Sequence, residues 1–170
     1  MIMKEYLKIK KILLAEQDNV SLVQSVSEHV YDLLGNDCYP LTNVEKITNI
    51  PESAKDIFYG WAFQAEIGGS LSLFDYLVNM ARAKDISIVL NTLENLKAKE
   101  LYQRLRDGVF LSKNEEADFW NDDYLYELEN IDEAKDFTSF ETIDSNIEYL
   151  AGESFTSRMA QHIRDNSTFL

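Results

Sequence analysis

Residues 51–69 read PESAKDIFYGWAFQAEIGG, and the spacing inside this stretch decides the fold class. Ile57, Phe58, Trp61, Ala62 and Ala65 recur three and four residues apart, which stacks them on one face of an α-helix. Pro51 suits the first turn, because the N–H it lacks would have no helical partner there. Gly68-Gly69 is expected to end the helix at a corner that needs glycine's backbone freedom.

The same period continues on both sides. Downstream, Ser70 is expected to cap a helix carrying Leu71, Phe74, Leu77, Val78 and Ala81. Ile86, Val89, Leu90, Leu93 and Leu96 mark another helix. After a break at 97–99, Leu101, Tyr102 and Leu105 mark a further one that Gly108 should close. Upstream, residues 35–50, with Pro40, read as a loop and an internal boundary. Before it, Leu22, Val23, Val26, Val30, Leu33 and Leu34 form a helix from about Ser21, stopped by Gly35-Asn36-Asp37. At the start, Tyr6, Ile9, Leu13 and Leu14 keep helical spacing, with Lys4, Lys8 and Lys11 mostly off the stripe. Six glycines and two prolines in 170 residues favour long helices and short loops. The expectation is an all-α, compact multi-helix domain over 51–170 with an N-terminal helical annex over 1–50.

Composition bounds the function. Hydrophobic residues at 45% and aromatics at 12% suffice for a packed core and exclude a disordered chain. The single cysteine, Cys38, rules out an internal disulfide framework and fits a reducing compartment. Residues 1–15 have no long apolar run and no small-residue cleavage site, and no segment is long enough to span a bilayer, so the expected location is cytoplasmic. A formal charge of −14 disfavours direct contact with nucleic acid or an anionic membrane.

Chemistry-bearing motifs are scarce. His29 and His162 have no ligand-like neighbours at helical spacing, and neither H-E-x-x-H nor C-x-x-C occurs. No phosphate-binding glycine loop surrounds Gly68-Gly69, and no G-x-S-x-G elbow is present. Paired carboxylates abound, as in Glu115-Glu116, Asp122-Asp123 and Asp132-Glu133. Adjacent exposed carboxylates share one environment, whereas acid–base chemistry needs two contrasting ones. Residues 118–129 lack the central glycine and alternating oxygen ligands of an EF-hand loop. No catalytic residue, metal site or cofactor is expected.

The charge is concentrated in one place. Residues 1–111 carry 12 basic and 15 acidic groups, whereas residues 112–153 carry 2 basic and 14 acidic groups. Such a density repels itself and is the feature most suggestive of a binding face. Phe119, Trp120, Tyr124, Leu125, Leu128 and Ile131 keep an apolar stripe beneath the carboxylates. Ile143, Ile147, Tyr149 and Leu150 do so one helix later, and Phe155, Met159 and Ile163 come after them. The segment is therefore expected to form folded helices with an acidic outer face. Carboxylates three or four residues apart on a helix stand about 5–6 Å apart. That is the scale on which a duplex presents phosphates, one per roughly 3.4 Å of axis on each strand. The candidate partner-binding residues are Glu115, Glu116, Asp118, Trp120, Asp122, Asp123, Tyr126, Glu127, Glu129, Asp132, Glu133 and Asp136. The implied partner is a basic protein, either a DNA-binding regulator or, in the alternative reading of an immunity protein, a basic nuclease toxin.

Three stretches carry a family resemblance. The first is Ala65-Glu66-Ile67-Gly68-Gly69 with Phe74-Asp75-Tyr76-Leu77-Val78-Asn79. The second is Leu93-Glu94-Asn95-Leu96-Lys97-Ala98 with Leu101 and Leu105, where Lys97 replaces a glycine. The third is Phe140-Glu141-Thr142-Ile143-Asp144 with Met159-Ala160-Gln161-His162-Ile163-Arg164-Asp165-Asn166 and Phe169. From about Pro51 to Leu170 the chain resembles a bacterial family of DNA-mimic proteins, first catalogued as a domain of unknown function. The resemblance implies an all-α fold, a capacity to dimerise, no enzyme activity, and mimicry of DNA as a candidate role.

Overall fold

The computed structural model describes residues 2–15, 18–35, 41–69, 71–115, 117–121, 128, 130–145 and 147–166, and of residues 2, 3, 69, 118 and 121 the backbone alone. The described residues are all helix, turn or irregular chain, with no strand among them. In chain order the α-helices are α1 (Ile2–Ala15), α2 (Asn19–Leu34), α3 (Thr42–Glu45), α4 (Glu52–Gly69), α5 (Leu73–Asp75), α6 (Ala83–Asn95), α7 (Lys99–Leu111), α8 (Phe140–Asp144), α9 (Ile147–Leu150) and α10 (Glu153–Asn166). Among the described residues no helix is long and apolar enough to cross a membrane.

The stretch 51–69 becomes the central element. The sequence predicts one buried face on α4, but Ala54, Ile57, Phe58, Tyr59, Ala62, Phe63 and Ile67 are all buried, on nearly every side. The physical reason is that α2, α6, α9 and α10 all pack around it, and a helix apolar all round belongs in the middle of a bundle. Ala65, expected on the buried face, is exposed. Polar bonds fix the neighbours to this core. Asp56 accepts from Asn95 at 3.2 Å and contacts the His162 ring at 3.1 Å, tying α4 to α6 and α10. Gln64 donates to the carbonyl of Ala151 and, at 3.1 Å, to Thr156 Oγ1.

Packing runs through the expected annex boundary. Leu22, Val23, Val26 and Val30 of α2 join the same core as α4 and α10, and Asn19 accepts from Arg164 at 2.7 Å. Residues 41–50 are more ordered than the expected loop. Leu41, Val44 and Ile50 are buried, α3 forms within them, and the Leu41 N–H donates to Asp85 Oδ1 at 2.9 Å. Cys38 and Pro40 lie outside the described residues. On α1, Ile9 is buried, whereas Leu14, expected on the stripe, faces outward.

Three helix ends differ in instructive ways. Gly35 terminates α2 with φ +65°, as its stop signal required, and its N–H reaches the Tyr31 carbonyl at 3.1 Å. Ser70 lies outside the described residues, and Ser72 caps α5 instead, accepting from the Asp75 N–H at 3.0 Å. The chain then widens into a π-helix over Tyr76–Met80 rather than continuing to Ala81. Gly108 does not close α7 but sits inside it. A Cβ there would stand 2.8 Å from Leu77 Cδ1 and 3.2 Å from Leu73 Cδ2, so this glycine permits close helix approach and is no cap.

Candidate protein-binding face

The acidic segment lies against α7 and continues from it. After Leu111 the chain tightens into 3₁₀ turns over Ser112–Asn114 and Asp118–Asn121. Among the described residues the expected helices with an acidic outer face form only in part. Residues 130–139 are irregular, and α8 and α9 are single short helices. Over 131–136 several backbone groups that a helix would pair internally bond to the side chains of Arg106, Asp107 and Lys113 instead. Most of the apolar anchors among the described residues hold nonetheless. Ala117, Phe119, Leu128, Ile131, Ile143 and Ile147 are buried, and Phe140 packs edge-on against Phe74 with ring centroids 5.0 Å apart.

The backbone of the segment is gripped by side chains of α7 and the turn after it. Asp107, with no solvent exposure, accepts from the Lys135 N–H at 3.0 Å and the Asp136 N–H at 2.9 Å. Gln103 donates to the same carboxylate at 2.7 Å. Arg106 donates to the Glu133 carbonyl at 2.9 Å and Lys113 to the Ile131 carbonyl at 3.1 Å. Arg104 donates to the carbonyls of Ile143 and Ser145, the latter at 2.8 Å, with its guanidinium 4.8 Å from the centre of the Phe137 ring. Charge-assisted bonds of this kind are stronger than neutral ones.

The expected site residues fall into three groups. Glu115, Asp132, Glu133 and Asp136 are exposed, as are Glu141 and Glu148, and among the described residues none of these carboxylates forms an ion pair. Trp120 faces inward instead. Its indole N–H donates to Ser112 Oγ at 3.0 Å, its ring lies 4.7 Å from that of Phe119, and Lys113 sits over it. Glu116, Asp122, Asp123, Tyr126, Glu127 and Glu129 lie outside the described residues, as do Tyr124 and Leu125, and so does the side chain of Asp118. Tyr149, expected on the apolar stripe, is instead 81% exposed, because α9 turns only Ile147 and Leu150 toward the core. Asp144 turns inward, accepting from the Leu73 N–H at 2.8 Å, and burial pushes its carboxyl above the usual carboxylate value.

Sequence reasoning missed Arg104, Arg106 and Asp107, because they belong to the nearly charge-balanced region before residue 112. The available signal was Asp107 opening the apolar run Gly108-Val109-Phe110-Leu111. A carboxylate at such a place is buried only with partners. Both histidines are half-buried in helices. His29 contacts Glu5 at 2.9 Å, and His162 contacts Asp56. Among the described residues no group of three or more His, Cys, Asp and Glu gathers as a metal site would.

The sequence profile of the DMP19-like protein family matches residues 48–166. The chain belongs to this family of DNA-mimic domains. No curated protein and no solved structure matches the sequence. The matched region of this DMP19-like chain holds α4 to α10 and the whole acidic segment, while α1, α2 and α3 precede it. The second stretch of resemblance also has a structural meaning. Lys97 adopts φ +57°. The Lys97 N–H bonds the Glu94 carbonyl and the Ala98 N–H the Leu93 carbonyl, both at 2.9 Å, which is the Schellman closure of α6.

Proposed function

We propose that this chain is a non-enzymatic acidic binding protein that acts as a DNA mimic, occupying the basic surface of a DNA-binding regulator. The observation that carries the reading is the set of exposed carboxylates, without an ion pair among the described residues, on a segment gripped through its backbone. Glu115, Asp132, Glu133 and Asp136 meet solvent, while the nearby cations Arg104, Arg106 and Lys113 bind carbonyls. The anionic field is thus left for a partner. Membership of the DMP19-like family supports the same reading. Glu116, Asp118, Asp122, Asp123, Glu127 and Glu129 extend the proposed face by their place in the sequence.

Such a face competes with phosphates for one basic groove. Its association is fast at low ionic strength and weakens as salt rises, because both partners exchange counterions. The test is displacement of labelled DNA from a basic helix-turn-helix regulator of the source cell. The chain should displace it, less well at higher salt. A variant with Asp118, Asp122, Asp123, Asp132, Glu133 and Asp136 changed to Asn or Gln should displace it poorly. Equal displacement by that variant would overturn the reading.

A further inference from the structure

We propose that α7 is the template of the binding face, with Asp107 and Arg106 as its positioning residues, so that the geometry of the carboxylates is set before a partner arrives. This deepens the DNA-mimic reading and rests on it for the role of the face, though not for the grip itself.

A rigid basic surface reads charge placement as well as charge. An irregular segment with this much like charge would spread into many conformers if only its apolar anchors held it. Between the anchors Ile131 and Ile143 lie Asp132, Glu133, Asp136 and Glu141, all exposed. Over that span the chain has no helix before Phe140 to hold it. Asp107 and Arg106 supply what a helix would have supplied. One buried carboxylate takes two successive N–H groups, of Lys135 and Asp136, and one guanidinium takes the carbonyl of Glu133, just before them in the chain. Donor and acceptor polarity alternate between Arg106 and Asp107, so the segment can dock in only one register. A grip on the backbone at 133, 135 and 136 fixes the path of the chain there, and with it the places from which the exposed carboxylates of Asp132, Glu133 and Asp136 project. Arg104 and Lys113 mark the two ends of the gripped span, at Ile143 and Ser145 on one side and Ile131 on the other. Binding that needs no ordering of the face avoids the entropy that a floppy acidic tail must lose.

The experiment uses the full chain and Asp107→Asn, with Asp85→Asn as a control that removes one buried carboxylate elsewhere. Amide hydrogen exchange on the free protein is the first readout. In Asp107→Asn the amides of 133–136 should exchange at least about tenfold faster, while those of α4 and α10 stay as protected as in wild type. The second readout is the salt dependence of binding to a basic helix-turn-helix DNA-binding domain and to a decalysine peptide. Asp107→Asn should give a shallower salt slope than wild type against the folded domain, because fewer ion contacts form together, and an unchanged slope against the flexible decalysine. Asp85→Asn should match wild type in both. Unchanged exchange at 133–136 would overturn the template, as would faster exchange with an unaltered slope against the folded domain. If wild type binds neither probe, the DNA-mimic reading fails, and the exchange result alone still decides whether α7 holds the segment. Should Asp107→Asn not fold, Arg106→Met takes its place with the same outcomes.

Discussion

Phe155 in α10 and Asp107 in α7 are both closed to solvent, yet they hold their surroundings by different forces. Phe155 belongs to the packed core around α4, where stability comes from apolar area summed over many neighbours. Asp107 holds the acidic segment with a few directed hydrogen bonds, which have value only in one geometry. The helical core and the acidic segment are therefore separable in their response to change. Damage to the first should lower the stability of the whole chain, whereas damage to the second should loosen one face and spare the rest.

The largest expected effect breaks the core. Phe155→Ala should cost roughly 3–5 kcal/mol, seen as a lower urea midpoint common to all probes, because its site is enclosed by rigid neighbours. A smaller effect breaks the segment. Arg104→Ala removes the donor to the Ile143 and Ser145 carbonyls and should cost about 1–3 kcal/mol, with faster amide exchange over α8 and the adjoining turns and little change in α4. Loss of protection spread evenly through both regions would mean that the segment is part of the core's cooperative unit.

A third change sharpens the comparison from the stabilising side. Lys97→Gly relieves a left-handed residue at the end of α6 and should raise stability by about 0.5–1 kcal/mol, net of the greater freedom of glycine in the unfolded chain. The midpoint should rise while competition for a DNA-binding partner is unaltered. The smallest effect concerns acid. His29 is held below its ordinary pKa of 6.5, chiefly by burial, with Lys8 adding to the depression and Glu5 and Asp32 opposing it. Its neutral form is the one the fold favours. Its contribution to stability is present above about pH 6.5 and is lost as pH falls from there toward the depressed value. His29→Gln should flatten that part of the stability-versus-pH curve measured by urea titration. An unchanged curve would assign the loss to other groups.

The two regions also differ in how much of them the sequence disclosed. Helices with a three-and-four period were legible: α2, α4, α6 and α10 stand where Val26, Ile57, Val89 and Met159 placed them. Stop signals were legible only in part. Gly35 behaved as its type suggests, but Gly108 resides within α7 because Leu73 and Leu77 lie too close for a side chain. A glycine's freedom is a local property, while the need for its small size arises between elements.

By itself the sequence determined the all-α class, most of the apolar anchors of the acidic segment and the concentration of its charge, since each is a property of spacing or counting along one chain, and its likeness to a known family pointed to the family. Only the tertiary structure decided that α4 is buried on nearly all sides, that Trp120 points inward, and that Asp107 and Arg106 grip residues 133–136. The grip joins groups some 30 residues apart, and a hydrogen bond at 2.9 Å leaves no period in the sequence from which it could be read.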